Sequence, residues 1–188
     1  MQEIKSFKNQ MLIAVPSLRD PNFDKGVIFM CQHNHEGGLG LVINHPINMR
    51  LKGLLDQMDI AVDDENIANL PVYAGGPVQQ DRGFILHTSE AIKWETTVDI
   101  SEEVSLTTSQ DILKAIARGE GPRHFLIALG YAGWKESQLE AEMKENSWLS
   151  TDYDESVIFN TPISKRWDAA AKKMGVDIRL LSSQVGHA

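Results

Sequence analysis

The chain is short of cysteine, of positive charge and of long apolar runs, and each shortage removes a class of function. A single cysteine in 188 residues excludes an intramolecular disulfide and a cysteine-built zinc site. No apolar stretch approaches membrane-spanning length, and the opening Met-Gln-Glu-Ile-Lys-Ser lacks the basic-then-apolar layout of an export signal. These features predict a cytoplasmic protein with no membrane partner. Eighteen Lys and Arg stand against 26 Asp and Glu, a net charge of −8, and no basic cluster is present to displace counterions from a phosphate backbone. Direct nucleic-acid binding is therefore not expected. Lys165, Arg166, Lys172 and Lys173 do collect near the C-terminus. Interspersed with Asp168 and apolar positions, they read as a solvated helix face. Also missing are a Gly-Lys-Ser/Thr phosphate loop, a His-Glu-x-x-His helix, a Cys-x-x-Cys pair and a Gly-x-Ser-x-Gly elbow.

What is present is ordinary for a globular chain: 42% apolar and 23% charged residues. The length fits one domain over residues 1–188, with mobile ends near 1–8 and 182–188. Residues 11–15, 26–32 and 39–44 are apolar strand candidates, punctuated by Pro16, by Asp20-Pro21-Asn22 and by a His- and Gly-containing turn. The short turn predicts an antiparallel hairpin, and the nearly continuous apolar runs predict cover on both faces. Leu51, Leu54, Leu55 and Met58 predict a short amphipathic helix; further strands are expected over 71–74, 83–88, 94–100, 104–107, 124–129, 148–151 and 157–159. Helices are expected from Thr107–Asp111 to Gly119 and from the capping box at Ser137–Glu140. A last one should open at Thr161-Pro162, with Ile163, Trp167, Ala170 and Met174 at helical spacing.

Cys31, His33 and His35 alternate along the second strand and its exit, so a continuous strand would place them on one face about 7 Å apart. A zinc would need help from elsewhere to bring such ligands together, and no metal or other cofactor is expected. Cys31 and His33 remain candidate catalytic residues, because a neighbouring imidazolium would stabilise a thiolate. The competing reading is a buried thiol acting as a small hydrophobe. Gly75 and Gly76, with Arg82 and His87 around Gly83-Phe84-Ile85-Leu86, are candidate binding residues for a small anion; the bland alternative is a tight turn, a surface cation and a polar strand end. Trp134, Trp148 and Trp167 sit beside aliphatic periodicities and read as core or groove residues.

Taken together, these segments resemble the YqgE/AlgH family of bacterial proteins. The carriers include Asp20-Pro21-x-Phe23, Cys31-x-His33, Gly40-Leu41-Val42-Ile43-Asn44-x-Pro46, Gly75-Gly76-Pro77-Val78, Asp81–His87, Leu129-Gly130-Tyr131-Ala132-Gly133-Trp134 and Gly175-Val176-Asp177-Ile178. The resemblance implies an α+β fold with a bent, partly barrel-like mixed β-sheet surrounded by helices. It supplies no catalytic residues, and some members carry a transcriptional-regulator label. The leading expectation is a non-enzymatic regulatory or interaction protein acting through a protein partner or a small anionic ligand. The alternatives are a thiol-based enzyme or redox sensor using Cys31, and a DNA-binding regulator, which the net charge disfavours.

Overall fold

A computed structural model describes residues 5–184, with side chains as far as Leu181. The strands are β1 (Gln10–Ala14), β2 (Val27–Asn34), β3 (Gly37–Val42), β4 (Pro46–Arg50), β5 (Pro71–Ala74), β6 (Val78–Thr88), β7 (Val98–Asp99), β8 (Val104–Thr107), β9 (Phe125–Lys135) and β10 (Trp148–Asp152). The helices are α1 (Leu51–Gln57), α2 (Glu65–Ala68), α3 (Gln110–Ala117), α4 (Gln138–Lys144), α5 (Arg166–Lys173) and α6 (Ile178–Gln184). The sheet runs β10-β1-β2-β3-β9-β6-β8-β7, with β5 docked on β9 and β4 on β5. All pairings are antiparallel except β5 with β9, so the sheet is mixed, as the resemblance implied. No helix among the described residues is long and apolar enough to cross a membrane.

Period-two alternation divides the apolar residues between two faces of the sheet. Met11, Ile13, Val27, Phe29, Phe84 and Leu86 point to an inner face that α5 and α6 cover with Ala170, Ala171 and Ile178. On the opposite face, Leu12, Ile28, Met30, Ala132 and Trp134 pack against Leu139 of α4. Farther along that face, Ile85 and Ile127 pack against α1 and α3. The hairpin β2–β3 is covered on both sides over Val27–Cys31 and Gly40–Val42, where its apolar runs are continuous, while Gln32 and Asn34 toward its turn are exposed.

β9 joins the two halves of the sheet. Its first part pairs with β5 and β6, and its last four residues pair with β3. Between them the chain passes against the Gly75-Gly76 turn. A Cβ on Gly75 would lie 2.3 Å from the Gly130 carbonyl oxygen, and one on Gly130 would lie 2.4 Å from that of Gly76. Gly130 also has φ +76°, which L side chains disfavour.

Several local expectations are corrected. Residues 157–159 are not a strand: Asp154 accepts the Val157 N–H on its side chain and the Ile158 N–H on its carbonyl, and a five-residue π turn forms over Ser156–Asn160. Thr161-Pro162 leads first into a 3₁₀ turn, Ile163–Lys165, and α5 begins only at Arg166. Residues 94–100 contribute just the two-residue β7, and β4 had no signal of its own. Within the ends expected to be mobile, Ser6 and Phe7 are fixed on β2 by hydrogen bonds to His33; residues 1–4 and 185–188 lie outside the described residues.

The crossing sets the first expectation. Gly130→Ala adds a side chain where both the dihedral and the neighbouring backbone oppose it, and it should lower stability by about 2–4 kcal/mol in urea unfolding. A wild-type midpoint in that variant would show that the crossing does not constrain the sheet.

Candidate functional site

Cys31 and His33 do not share a face. The β2–β3 register shifts between Met30 and Gln32, leaving Cys31 as the extra residue of a β-bulge. Up to the bulge Cys31 continues the inward series of Val27 and Phe29, and beyond it the parity reverses. Cys31 is buried in the inner core, and desolvation pushes its thiol pKa far above the ordinary value. Among the described residues the only polar contact of its thiol is a long 3.8 Å approach to the Phe29 carbonyl oxygen.

His33, emerging on the other side, is buried and occupied at both nitrogens. Nδ1 accepts the Phe7 N–H at 2.9 Å, which leaves the proton on Nε2 to be donated to Glu140 Oε1 at 2.7 Å. His33 thereby ties the N-terminal segment and the first turn of α4 to β2. Glu140 serves this bond and not the predicted capping box: Ser137 has φ 62° and makes no side-chain cap. His35 sits exposed in the turn after β2. The three residues that alternate in sequence therefore occupy three different environments.

His87 is also enclosed. Nδ1–H donates to the Thr88 carbonyl at 2.8 Å, so Nε2 accepts from Thr107 Oγ1 at 2.7 Å. The Thr107 hydroxyl in turn accepts from Thr97, whose oxygen takes the Trp94 N–H. This chain suits a neutral imidazole, and desolvation lowers the pKa of His87 against smaller opposing effects from the Thr88 carbonyl, Glu90 and Asp99. Arg82 lies five residues back along β6, about 17 Å away for an extended strand. Exposed there, it stacks over Phe84 at 5.3 Å and touches Gln79.

The Gly75 N–H donates to the Leu129 carbonyl and the Gly75 oxygen accepts from Val42, so Gly75 has no donor left for an anion. Gly76 borders a cleft of about 300 Å³ with His45 and Gln80, which neither Arg82 nor His87 reaches. The four candidate anion residues are thus not brought to one pocket.

A larger cleft, about 410 Å³, opens where β5 and β9 begin side by side. Its far wall is the π turn and the 3₁₀ turn, which present Phe159, Thr161 and Ile163; His124 stacks on Phe159 at 6.0 Å. At its base is Arg166, only 4% exposed, although its place among C-terminal cations read as solvated surface. The guanidinium donates from Nε to the Thr161 carbonyl, and from Nη1 to the Ile43 carbonyl at 2.6 Å and the Tyr73 hydroxyl at 3.0 Å. It also lies over the Tyr73 ring at 5.4 Å. Among the described residues Nη2 has no hydrogen-bond partner, and no carboxylate pairs with the charge. One signal for its burial was present: Arg166 stands three residues after Ile163 and four before Ala170, in phase with the apolar stripe.

Two measurements follow from these environments. Iodoacetamide should label Cys31 only as the chain unfolds, the labelled fraction tracking far-ultraviolet dichroism through a urea series; rapid labelling of native protein would contradict the burial. Because the folded pKa of His87 lies below its ordinary value of about 6.5, the unfolded chain takes up the proton first as pH falls. The stability from a neutral His87 is therefore complete above about pH 6.5 and declines as pH drops from there toward the folded value. A His87→Gln variant should be less stable than wild type at neutral pH, yet lose less on going to mildly acidic pH. Parallel urea-midpoint profiles for the two proteins would refute this assignment.

Comparison with known proteins places this geometry in a family. The AlgH-like family model matches residues 11–179. A UPF0301 protein of Thioalkalivibrio sulfidiphilus is 50% identical over 188 residues, covering 100% of both chains. A second, from Methylococcus capsulatus, is 50% identical over 185 residues and 98% of each chain. The solution structure of the AlgH protein from Pseudomonas aeruginosa matches with a TM-score of 0.79 at 42% identity, over 100% of both chains. A Corynebacterium diphtheriae protein at 17% identity shares the fold, with a TM-score of 0.74 over 97% of this chain and 94% of that one. The chain belongs to the AlgH-like, UPF0301 family.

Proposed function

We propose that this chain is a cytoplasmic, non-enzymatic regulatory or interaction protein that works by binding a protein partner or a small anionic ligand. One observation carries the reading: Cys31, His33 and His87 are enclosed, while the larger of the two clefts described above is equipped for binding. Cys31 is desolvated, and His33 and His87 have both ring nitrogens occupied. The cleft above Arg166 is lined by no cysteine, serine or carboxylate; its Thr161 hydroxyl donates to the Ser156 carbonyl and its Tyr73 hydroxyl accepts from Arg166, so the cleft offers cation and apolar surface with its hydroxyls engaged in the fold.

A thiol enzyme or redox sensor would need the Cys31 thiolate near solvent, which the inner core opposes. A DNA-binding role draws support only from the regulator label that the family resemblance implied, and a net charge of −8 opposes contact with phosphates. The reading predicts no turnover in an unbiased substrate screen. Robust turnover that disappears in Cys31→Ala or His87→Ala would overturn it. It also predicts no saturable, salt-sensitive anisotropy change with duplex DNA at physiological ionic strength.

A further inference from the structure

The guanidinium of Arg166 is a permanent charge at the base of an open cleft, and its surroundings leave it half answered. Of its five N–H donors, three are taken up by the Thr161 carbonyl, the Ile43 carbonyl and the Tyr73 hydroxyl, all neutral acceptors. Both hydrogens on Nη2 remain free of partners among the described residues. A side chain needed only to bridge carbonyls has no use for a net charge, and burying a cation answered only by the face of the Tyr73 ring, with no anion beside it, is costly. The other arginine of the cleft, Arg123, is already paired with Glu155 at 2.9 Å, toward solvent. In a chain carrying a net charge of −8, a concavity with two arginines, a histidine and no acidic lining residue is an exception that favours anions.

The remaining walls define the rest of the ligand. Phe125, Ile127, Phe159 and Ile163 present apolar surface, and the volume of about 410 Å³ falls within the range of small-molecule sites. The two hydrogens of Nη2 match one carboxylate, whereas a phosphate dianion calls for further charged donors, and the cleft's other arginine is already paired with Glu155. The wall contributed by Phe159 and Asn160 is a π turn, a backbone form found disproportionately at functional sites.

We infer that the cleft between the starts of β5 and β9 and the turn before α5 binds a small organic monocarboxylate, its carboxylate on Arg166 and its apolar body against Phe159 and Ile163. This rests on the reading of the chain as a binding protein, and it names the ligand class and the site.

The test uses the full chain with 2-naphthoate as the probe and neutral 2-naphthamide as its control, followed by titration calorimetry and amide chemical shifts. 2-Naphthoate should saturate a single site, with shifts confined to residues around Phe125, Phe159 and Arg166. The amide should bind at least ~10-fold more weakly, because a charge-assisted hydrogen bond is lost. Arg166→Gln should abolish naphthoate binding. Because that variant also removes structural hydrogen bonds, Ile163→Trp, which fills the cleft and leaves Arg166 in place, should abolish binding as well while keeping the wild-type dichroism. No naphthoate binding to the unaltered chain, equal affinity for acid and amide, or binding that survives Ile163→Trp would overturn the proposal. The two readings fail separately: absence of naphthoate binding removes this site while a blank substrate screen leaves the binding-protein reading standing. Turnover in the screen removes that reading even where naphthoate binds.

Discussion

Two backbones meet at Gly130 with no space between them for a side chain, and the sheet is built around that contact. The carbonyl oxygens of Gly76 and Gly130 sit where Cβ atoms would otherwise be, so β9 and the β5–β6 turn approach more closely than any other residue type permits. The Gly75 N–H bonds to Leu129 and the Gly75 oxygen accepts from Val42. One turn thereby holds β9 and also the end of β3, the two strands through which the halves of the sheet are joined. From this contact β9 runs one way into the antiparallel ladder with β6 and the other way into β3. The inner core then lies in the curl of a single sheet, and α1, α3 and α4 cover its outer face.

A second backbone irregularity, the bulge at Cys31, decides the fate of the reactive residues. Without it, Cys31 and His33 would project together; with it, one enters the inner core and the other crosses to α4. The sheet consumes both groups in its own cohesion. His87 is treated likewise through the threonine relay across β6 and β8. In each case a group able to do chemistry in a solvated cleft is held in place inside the fold, which removes it from contact with a substrate.

The legible features were those set by period and by turn residues. The β2–β3 hairpin, α3 and the buried strand at β9 followed from apolar runs bounded by Gly and Pro. The partnership of Cys31 and His33 failed because a bulge has no side-chain signature: it depends on the register with β3, a long-range property. The π turn at Ser156–Asn160 was read as a strand because Val157, Ile158 and Phe159 favour extended backbone, while the capping by Asp154 that bends it is visible only in three dimensions. Arg166 was missed for a different reason. Its charge placed it with its exposed neighbours, although its helical phase placed it with Ile163 and Ala170, and the phase was the correct guide.

The position of that arginine follows from the topology. β5 and β9 form the only parallel pair among the described strands, with Tyr73 opposite Ala128, so both start from the same edge. Their lead-in segments reach that edge from separate directions, one from α2 and the other from Arg123-His124. Parallel strands need cover at such an edge, and here the cover is the irregular turn before α5 instead of a regular helix. An irregular turn leaves the Thr161 carbonyl pointing inward, and the Ile43 carbonyl, just past β3, meets it at the same place; both require a donor. A neutral side-chain amide has two donors and could serve these two carbonyls at most; the five-donor fork of arginine satisfies both, reaches Tyr73 as well, and still has Nη2 to offer. The geometric demand of closing the sheet edge thus accounts for a long, branched donor at this position, but not for its net charge, and the charge is the part of Arg166 that a carboxylate ligand explains.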